Sequence, residues 1–239
     1  GIFAASLKQI EAVDENYEVA VRTIINGAIN SRRCAEENNF KSACFISSDK
    51  SRAATTLYGS MKFVAGESFI VNDHNNNVNL TTAIYGNVMN STGSIIPLIW
   101  DSINKKYELK LYSEEMTRFM LSIEEAIDVI ETAILSNISG YNVIPTAKSF
   151  LIKDLFEIYG EEFGLKYITT TPRISEKIHE IMISGEEIPR VTKMNNMKYF
   201  FMHYKKVFNE LKLINNEYSS RDCLISKKEL YNYLKSKNF

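Results

Sequence analysis

The stretch FISSDKSRAATTLYGSMKFVAGE, from Phe45 to Glu67, contains an apolar run, a polar turn and a segment with helical spacing. The apolar run belongs to a predicted buried strand over Ser42–Ser47, and the helical spacing extends over Thr55–Asn72. In an open parallel α/β sheet, ligands lie beyond the carboxyl ends of the strands. We therefore expect the polar residues between this strand and this helix to lie at a ligand-binding edge.

Helices and strands are predicted to alternate along the chain, and this order indicates an α/β fold with a parallel sheet. Connections between parallel strands are long and usually helical, so the alternation is typical of βαβ units. Two stretches differ: Asn72–Asn79 is predicted to be a polar surface loop, and Asn195–Asn216 fits either a helix or irregular chain. The other predicted segments are a short apolar stretch over Ile2–Leu7, helices over Tyr17–Asn38, Ile95–Asn104, Ile123–Leu135 and Ser226–Asn238, and strands over Leu80–Tyr85 and Tyr141–Ile144.

Composition and charge argue against several function classes. The 239 residues are 45% hydrophobic and carry a formal net charge of −1 with both signs interspersed, so we expect neither a nucleic-acid surface nor a polybasic membrane patch. Cys34, Cys44 and Cys223 lack metal-ligand spacing, so we expect no metal site and no disulfide framework. Because no apolar run approaches membrane-spanning length and no secretory signal pattern is present, we expect a soluble, cytoplasmic protein.

Tyr58 and Lys62 are four residues apart and would share one face of the predicted helix. A phenol with an ordinary pKa of about 10 is a weak base near neutral pH, but a neighbouring ammonium favours the phenolate. The pair is therefore suited to removing an alcohol proton, and Ser48 can orient that alcohol by a hydrogen bond. The same YxxxK spacing occurs in helices without catalytic function, and the strand and SSDK turn before it favour the catalytic interpretation.

Several short motifs occur in a fixed order along the chain. The other segments besides SSDK and YGSMK are AASLKQ at Ala4–Gln9, YGNVMNSTGSIIP at Tyr85–Pro97, MTRF at Met116–Phe119 and RISEKIHE at Arg173–Glu180. Together they resemble the nucleotide-sugar 4,6-dehydratases of the extended short-chain dehydrogenase/reductase family, in its polysaccharide-biosynthesis branch, with Ser48 in place of the usual Thr. The tail NEYSSRDCLISKKELYNYL is similar to the group that combines dehydration with 5-epimerisation of UDP-N-acetylglucosamine.

The resemblance implies an NAD(P)-dependent dehydration of a nucleotide sugar in which Tyr58 takes the C4 hydroxyl proton. It implies that Lys62 binds the nicotinamide ribose and lowers the pKa of Tyr58. A ketone at C4 acidifies the C5 proton, and the resemblance assigns the base and the acid for loss of water to Lys50 and Asp49. A UDP-sugar 4-epimerase or reductase, or a non-catalytic nucleotide-sugar-binding remnant, remains an alternative, although simple epimerisation needs no elimination pair.

The resemblance also implies where the cofactor and the UDP-amino sugar bind. Asn87 is expected near the sugar diphosphate, and Arg118 offers a donor fork suited to phosphate or uridine. His179 is interpreted as structural, because a helical His beside Glu180 more often packs than catalyses. The other expected contacts are Ala4, Ala5, Tyr58 and Lys62 to the cofactor, and Lys8, Arg173 and Glu176 to the substrate.

The Gly-rich turn that opens a dinucleotide-binding half has no counterpart in this sequence. The resemblance places Gly1 at the fourth strand, so we expect the C-terminal part of a doubly wound, Rossmann-like sheet with a smaller α/β substrate-binding domain. The expected division is 1–90, with 117–146 returning to it, against 91–116 and 147–239. An open sheet edge invites association. We therefore expect this chain alone to bind NAD(P) weakly and to form a homo-oligomer or to associate with a missing N-terminal segment, whether it is a fragment, a split protein or a remnant.

Overall fold

The computed structural model of the protein describes residues 1–7, 10–71, 77–172, 176–193, 198–208, 214 and 216–239. The contacts predicted for Lys8 and Arg173, and most of the loop predicted over Asn72–Asn79, lie outside these residues. The strands are β1 (Ile2–Phe3), β2 (Ser42–Ile46), β3 (Asn79–Ala83), β4 (Asn87–Val88), β5 (Leu109–Leu111), β6 (Thr117–Leu121), β7 (Tyr141–Pro145), β8 (Lys148–Leu151), β9 (Tyr167–Thr169), β10 (Ile181–Ile183), β11 (Val191–Thr192), β12 (Tyr199–His203) and β13 (Tyr218–Ser219). The helices are α1 (Ile10–Glu15), α2 (Tyr17–Ala20), α3 (Gly27–Glu37), α4 (Leu57–Ile70), α5 (Ile95–Lys105), α6 (Ile123–Leu135), α7 (Ile152–Phe163) and α8 (Lys227–Ser236), with a π-helical turn over Val21–Asn26 and 3₁₀ turns over Asp49–Ser51 and Ile188–Arg190.

Packing divides the described chain into two compact units. The first unit comprises residues 1–85, 127–146 and 181–218, and the second comprises 86–126, 147–180 and 219–239. The expected division placed 86–90 and 117–126 with the first unit and 181–218 with the second. The structure differs because β6 pairs antiparallel with β8, whereas β12 pairs antiparallel with β7.

A six-stranded sheet forms the centre of the first unit. Its strand order is β1-β2-β3-β7-β12-β11, in which β1, β2, β3 and β7 run parallel, β12 is antiparallel to β7, and β11 is antiparallel to β12. In β2 the side chains of Ala43, Cys44 and Phe45 are all buried, as expected of a parallel strand covered by helices on both faces. The α/β fold class predicted from the alternating segments is confirmed.

The structure corrects the sequence analysis at three places. The helix predicted over Tyr17–Asn38 is α2, the π-helical turn and α3 in direct succession. Tyr199–His203, which was predicted to be helical or irregular, is strand β12; its YFFMH run is buried almost throughout and shows no polar alternation, so the pattern could not identify a strand. His179 lies in irregular chain before β10 and not in a helix. Elements for which the sequence analysis made no prediction include β6, β8 and α7.

Each unit has its own apolar core. In the first unit Phe69 of α4 is fully buried, and its ring centroid lies 5.6 Å from that of Phe45 in β2. The contact between Phe69 and Phe45 holds α4 against the sheet, and Ile24 of the π-helical turn belongs to the same cluster. The core of the second unit draws on α5, β8, α7 and α8 through Ile99, Phe150, Leu155 and Leu230.

Gly59 lets the first turn of α4 approach the 3₁₀ turn over Asp49–Ser51. The helix begins after Thr56, whose hydroxyl accepts a hydrogen bond from the Gly59 N–H at 3.1 Å. A Cβ atom at position 59 would lie 2.2 Å from the carbonyl oxygen of Lys50, which is a backbone atom that no side-chain rotation can move. A side chain at this position would therefore separate the helix from the turn.

We expect Gly59→Ala to lower the free energy of unfolding by about 1–3 kcal/mol, because overpacking forces a backbone shift. The matched control is Gly27→Ala in α3, where the nearest atom to an added Cβ is 3.9 Å away. A glycine to alanine change at such a helical position stabilises by about 0.5–1 kcal/mol. Urea unfolding of both variants tests the prediction, and equal effects at the two positions would contradict it.

Candidate functional site

The 3₁₀ turn after β2 carries a buried carboxylate beside an ammonium group. Asp49 is fully buried, and its Oδ1 accepts hydrogen bonds from Ser48 Oγ at 2.9 Å and from Lys50 Nζ at 3.2 Å. The backbone N–H of Asp49 donates to the carbonyl oxygen of Tyr85 at 3.2 Å, which ties the turn to the end of β3. The side chain of Lys50 is 31% exposed, so this acid–base couple reaches from the interior to the surface.

The hydroxyl of Ser48 serves the turn itself. Its oxygen accepts from the Lys50 N–H at 3.3 Å, and its proton is directed at Asp49 Oδ1. From the sequence, Ser48 is expected to orient a substrate alcohol. In the structure the serine instead orients Asp49, and orientation of an alcohol remains a prediction.

Tyr58 lies on the first turn of α4 within the electrostatic reach of the Asp49–Lys50 couple. Burial raises the pKa of its phenol above the ordinary value; the charge of Lys50 opposes this rise, and that of Asp49 adds to it. From the family resemblance, Lys62 is expected to lower the pKa of Tyr58. The cation that lowers it in the structure is Lys50, because the turn is packed against the helix at Gly59.

Lys62 is a buried ammonium on the same helix. Its Nζ donates to the carbonyl oxygen of Ile46 at 3.0 Å and lies 5.0 Å from the ring centroid of Phe45. Removal of this charge from water lowers the pKa of Lys62 to about 8. The side chain therefore holds a titratable group at the end of β2.

The ends of three parallel strands meet at one edge of the sheet. β1 ends before Ala4 and Ala5, which are exposed; β2 ends before the Ser48 turn; and β3 ends before Tyr85. Burial and the neighbouring Tyr58 raise the pKa of Tyr85. The sequence analysis did not select Tyr85 as a site residue, although its place after a strand and within the YGNV motif was a usable signal.

In the second unit, two predicted substrate residues contact each other. Arg118 Nη2 donates to Glu176 Oε1 at 2.6 Å, and Arg118 Nη1 donates to the Thr117 carbonyl oxygen at 2.7 Å. Asn87 begins β4, which pairs with β6, the strand that carries Arg118. His179 makes a hydrogen bond to Thr117 Oγ1 at 2.8 Å through Nδ1, and burial lowers its pKa, which fits its interpretation as structural.

Two negative findings hold for the described residues. No group of three or more His, Cys, Asp or Glu side chains is arranged to hold a metal ion there. Within the same ranges, no helix combines the length and the apolar character that crossing a bilayer requires.

The buried charge of Lys62 makes its removal stabilising. The fall of its pKa from 10.5 to about 8 means that holding the proton at pH 7 costs the folded state roughly 3 kcal/mol. Loss of the hydrogen bond to Ile46 offsets about 1 kcal/mol of this. We expect Lys62→Met to raise the free energy of unfolding at pH 7 by about 2 kcal/mol in urea titrations, as the difference between these two terms.

The pH dependence provides the check on this result. Between pH 8 and 10.5 the unfolded chain still holds the Lys62 proton that the folded chain has lost, so wild-type stability rises with pH in this window. The advantage of Lys62→Met should therefore shrink from pH 8 to pH 10. Lys105→Met, at a largely exposed side chain, should change stability by less than about 0.5 kcal/mol at either pH. An advantage that stays constant from pH 7 to pH 10 would refute the lowered pKa.

Comparison with curated sequences gives relatives at moderate identity. The chain is 28% identical over 220 residues to a UDP-N-acetylglucosamine 4,6-dehydratase (inverting) of Campylobacter jejuni, covering 90% of this chain and 63% of that protein. It is 27% identical over 224 residues to a UDP-glucose 4-epimerase of Rickettsia canadensis, covering 85% and 65%. An uncharacterized membrane protein of Methanocaldococcus jannaschii is 30% identical over 239 residues, covering 95% and 71%. The chain thus spans less than two thirds of the length of the dehydratase and the epimerase.

Solved structures share the fold. Pen from Bacillus thuringiensis superposes with a TM-score of 0.86 at 24% identity, over 99% of this chain and 76% of that chain. DesIV, a dTDP-glucose 4,6-dehydratase from Streptomyces venezuelae with NAD and TYD bound, gives a TM-score of 0.64 at 13% identity, over 74% and 62%. These similarities confirm the Rossmann-like α/β architecture that the motifs implied.

A family profile matches residues 2–202, which is most of the chain and includes the whole of the Ser48–Lys62 segment. The family is described as polysaccharide biosynthesis protein. The resemblance inferred from the ordered motifs is confirmed at this level, and the chain belongs to the polysaccharide biosynthesis protein family.

Proposed function

We propose that this chain carries the catalytic site of an NAD(P)-dependent nucleotide-sugar 4,6-dehydratase, a lyase that acts on UDP-N-acetylglucosamine. The observation that carries the proposal is the Lys50–Asp49 couple, 3.2 Å between Nζ and Oδ1, held in the electrostatic environment of Tyr58. An elimination needs both an acid and a base, and an alcohol oxidation needs a further base. The dehydratase relatives support the same reaction type.

The residues at the sheet edge fit a nicotinamide cofactor. Ala4 and Ala5 are small and exposed beyond β1, so a ligand can approach the backbone there, and Lys62 adds an ammonium beyond β2. When bound, the cofactor supplies an acceptor for the hydride from sugar C4 and returns that hydride to C6. Ala4, Ala5, Tyr58 and Lys62 are the proposed cofactor contacts.

Tyr58 acts first, as the base for the C4 hydroxyl proton. Burial disfavours its phenolate, and the positive charge of Lys50 compensates in part. The loss of the C4 hydride leaves a ketone, which makes the C5 proton acidic. The proton taken from O4 stays on Tyr58 in this step.

Asp49 and Lys50 then remove water across C5 and C6. Transfer of one proton from the Lys50 ammonium to the Asp49 carboxylate along their hydrogen bond produces an amine base and a carboxylic acid together. The amine takes the C5 proton, and the carboxylic acid protonates the C6 hydroxyl, which leaves as water. This leaves the couple as an ammonium and a carboxylate. When the hydride returns to C6, C5 would take a proton from the couple, and the proton that Tyr58 took from O4 would restore the couple without a net proton from solvent.

Substrate binding is proposed for the second unit. Arg118 and Glu176 offer a guanidinium and a carboxylate for the phosphates and the ribose, and Asn87 an amide for the sugar diphosphate. Lys8 and Arg173 are also proposed as substrate contacts, and only the motif match supports them. Inversion at C5 during the same reaction is part of the proposal, in keeping with the dehydratase relatives named as inverting.

The assembly and the compartment are also proposals. Exposed apolar side chains on α4, namely Leu57, Phe63 and Val64, support a homo-oligomer, which sedimentation would detect. We propose that the protein is cytoplasmic, because the proposed reaction needs both a nucleotide sugar and NAD(P), and both are available there.

A UDP-sugar 4-epimerase is the second candidate, because relatives with that name match at 27–28% identity. Mass spectrometry of the product separates the two reactions, since dehydration removes one water and epimerisation leaves the mass unchanged. The assay uses the form of the protein that saturates with NAD(P), which a titration establishes first. A product of unchanged mass would replace the dehydratase proposal with the epimerase.

Tyr58→Phe should lower kcat at least about 100-fold, because a positioned acid–base group contributes about 10²–10⁴-fold. The matched control is Tyr159→Phe in the core of the second unit, where the buried phenol oxygen has no hydrogen-bond partner among the described residues. This control should retain wild-type kcat. Wild-type turnover by the Tyr58 variant would remove the phenol from the mechanism.

Asp49→Asn and Lys50→Met should separate oxidation from elimination. Both variants should still reduce the bound cofactor on mixing with substrate, because Tyr58 is intact, with a slower reduction in Lys50→Met, which lacks the charge that opposes the rise of the Tyr58 pKa. Both should release no 4-keto-6-deoxy product. Stopped-flow absorbance of reduced nicotinamide and product analysis provide the two measurements. Loss of the absorbance together with the product would assign the couple to binding or folding.

A further inference from the structure

We propose that Arg52 is a positioning residue that fixes the position of the Asp49–Lys50 couple relative to Tyr58, an inference that rests on the proposed dehydration. Arg52 lies two residues after Lys50 and ends the 3₁₀ turn: its backbone N–H donates to the Asp49 carbonyl oxygen at 2.9 Å. Its side chain is 1% exposed, whereas arginine is almost never fully buried unless it is paired.

The guanidinium of Arg52 contacts three elements other than its own turn. Nη1 donates to Glu187 Oε1 at 2.6 Å, beside the 3₁₀ turn over Ile188–Arg190. Nη2 donates to Glu67 Oε1 on α4 at 3.2 Å and to Asn142 Oδ1 on β7 at 3.1 Å. One side chain therefore connects the catalytic turn to the helix that carries Tyr58, to the sheet, and to the segment before β11.

The side chains that accept hydrogen bonds from Arg52 are themselves held by further hydrogen bonds. Asn142 Nδ2 donates to Glu67 Oε1 at 3.3 Å, and Thr82 Oγ1 makes a short hydrogen bond to Asn142 Oδ1. Glu187 Oε2 accepts from the Ser184 N–H at 3.0 Å. Since each acceptor has a second contact, the directions in which Arg52 can donate are set by the fold around it.

The charges in this cluster balance. Arg52 and Arg190 provide two positive charges, and Glu67 and Glu187 provide two negative ones, with Arg190 Nη2 3.4 Å from Glu187 Oε1. A buried ion network of this kind is weak evidence for stability, because a well-packed apolar cluster of similar volume is often equally stable. A planar donor fork does impose geometry that an apolar side chain would not.

The position of the turn matters for chemistry because two groups on different elements act on adjacent sugar carbons. A displacement of about 1 Å in a catalytic group can cost about 100-fold in rate. Gly59 sets how closely the turn approaches α4, and the contact from Arg52 to Glu67 sets where the turn lies along the helix. Elimination, which depends on the turn, should therefore be more sensitive to Arg52 than oxidation, which depends on Tyr58.

The test compares Arg52→Lys with Arg32→Lys. Both changes keep the charge and remove the fork; Arg32 pairs with Glu36 at 2.7 Å and donates to the Ser68 carbonyl oxygen at 3.1 Å, away from the turn. In single turnovers, Arg52→Lys should slow product formation at least about tenfold while cofactor reduction slows less than about threefold, as expected for a displaced turn. Arg32→Lys should leave the ratio of the two rates unchanged. An unchanged ratio in Arg52→Lys would overturn the proposal.

Hydrogen exchange provides a readout that needs no activity. Arg52→Lys should exchange the amides of Ser51 and Arg52 at least about tenfold faster, because the turn loses its tether, with the amides of α4 unaffected. Uniformly faster exchange in both regions would show a structural role only and would overturn the proposal. If Arg52→Lys does not fold, Glu187→Gln removes the charge at the 2.6 Å contact and should change the rates and the exchange in the same direction.

Failure of the proposed function is distinguishable from failure of this inference. If the wild-type protein saturates with NAD(P) but neither reduces it nor forms product with UDP-N-acetylglucosamine, the dehydratase proposal fails. The exchange measurement then decides alone whether Arg52 positions the turn: local acceleration over Asp49–Arg52 supports it, and unaltered exchange overturns it.

Discussion

The approach of α4 to the turn after β2 is the constraint on which the site depends. The carbonyl oxygen of Lys50 fills the space that a side chain at position 59 would need. This contact between two backbones brings a phenol on a helix and an ammonium on a turn into one electrostatic environment. The parallel strands form the sheet edge at which the site lies, but the absence of a side chain at Gly59 determines how closely the turn and α4 approach each other.

Several charged groups of the first unit are buried away from solvent. Asp49, Arg52 and Lys62 are all buried, and each is held by groups from another part of the same unit or by its own turn. Desolvation of this kind costs folding free energy unless partners compensate. Sites that carry out acid–base chemistry often contain such groups, because burial is what moves a pKa toward the working range.

Much of this arrangement could be predicted from sequence. The strand over Ser42–Ile46 and helix α4 follow from apolar runs and spacing, and the ordered motifs identified the family. β12 could not be predicted in the same way, because its partner β7 lies more than fifty residues earlier and its buried faces show no alternation. The role of Lys50 at Tyr58, and the burial of Arg52, depend on three-dimensional packing that no local pattern encodes.

The ion pair between Arg118 and Glu176 would affect ligand selectivity in the substrate-binding role that we propose for Arg118. Any anion that takes the guanidinium fork must compete with a carboxylate already 2.6 Å from Nη2. If Arg118 binds the substrate as we propose, a neutral sugar brings no charge to that competition, whereas a diphosphate brings an anion to the same fork. In that proposed role, the carboxylate of Glu176 would compete with every ligand and would discriminate most strongly against ligands that lack phosphate.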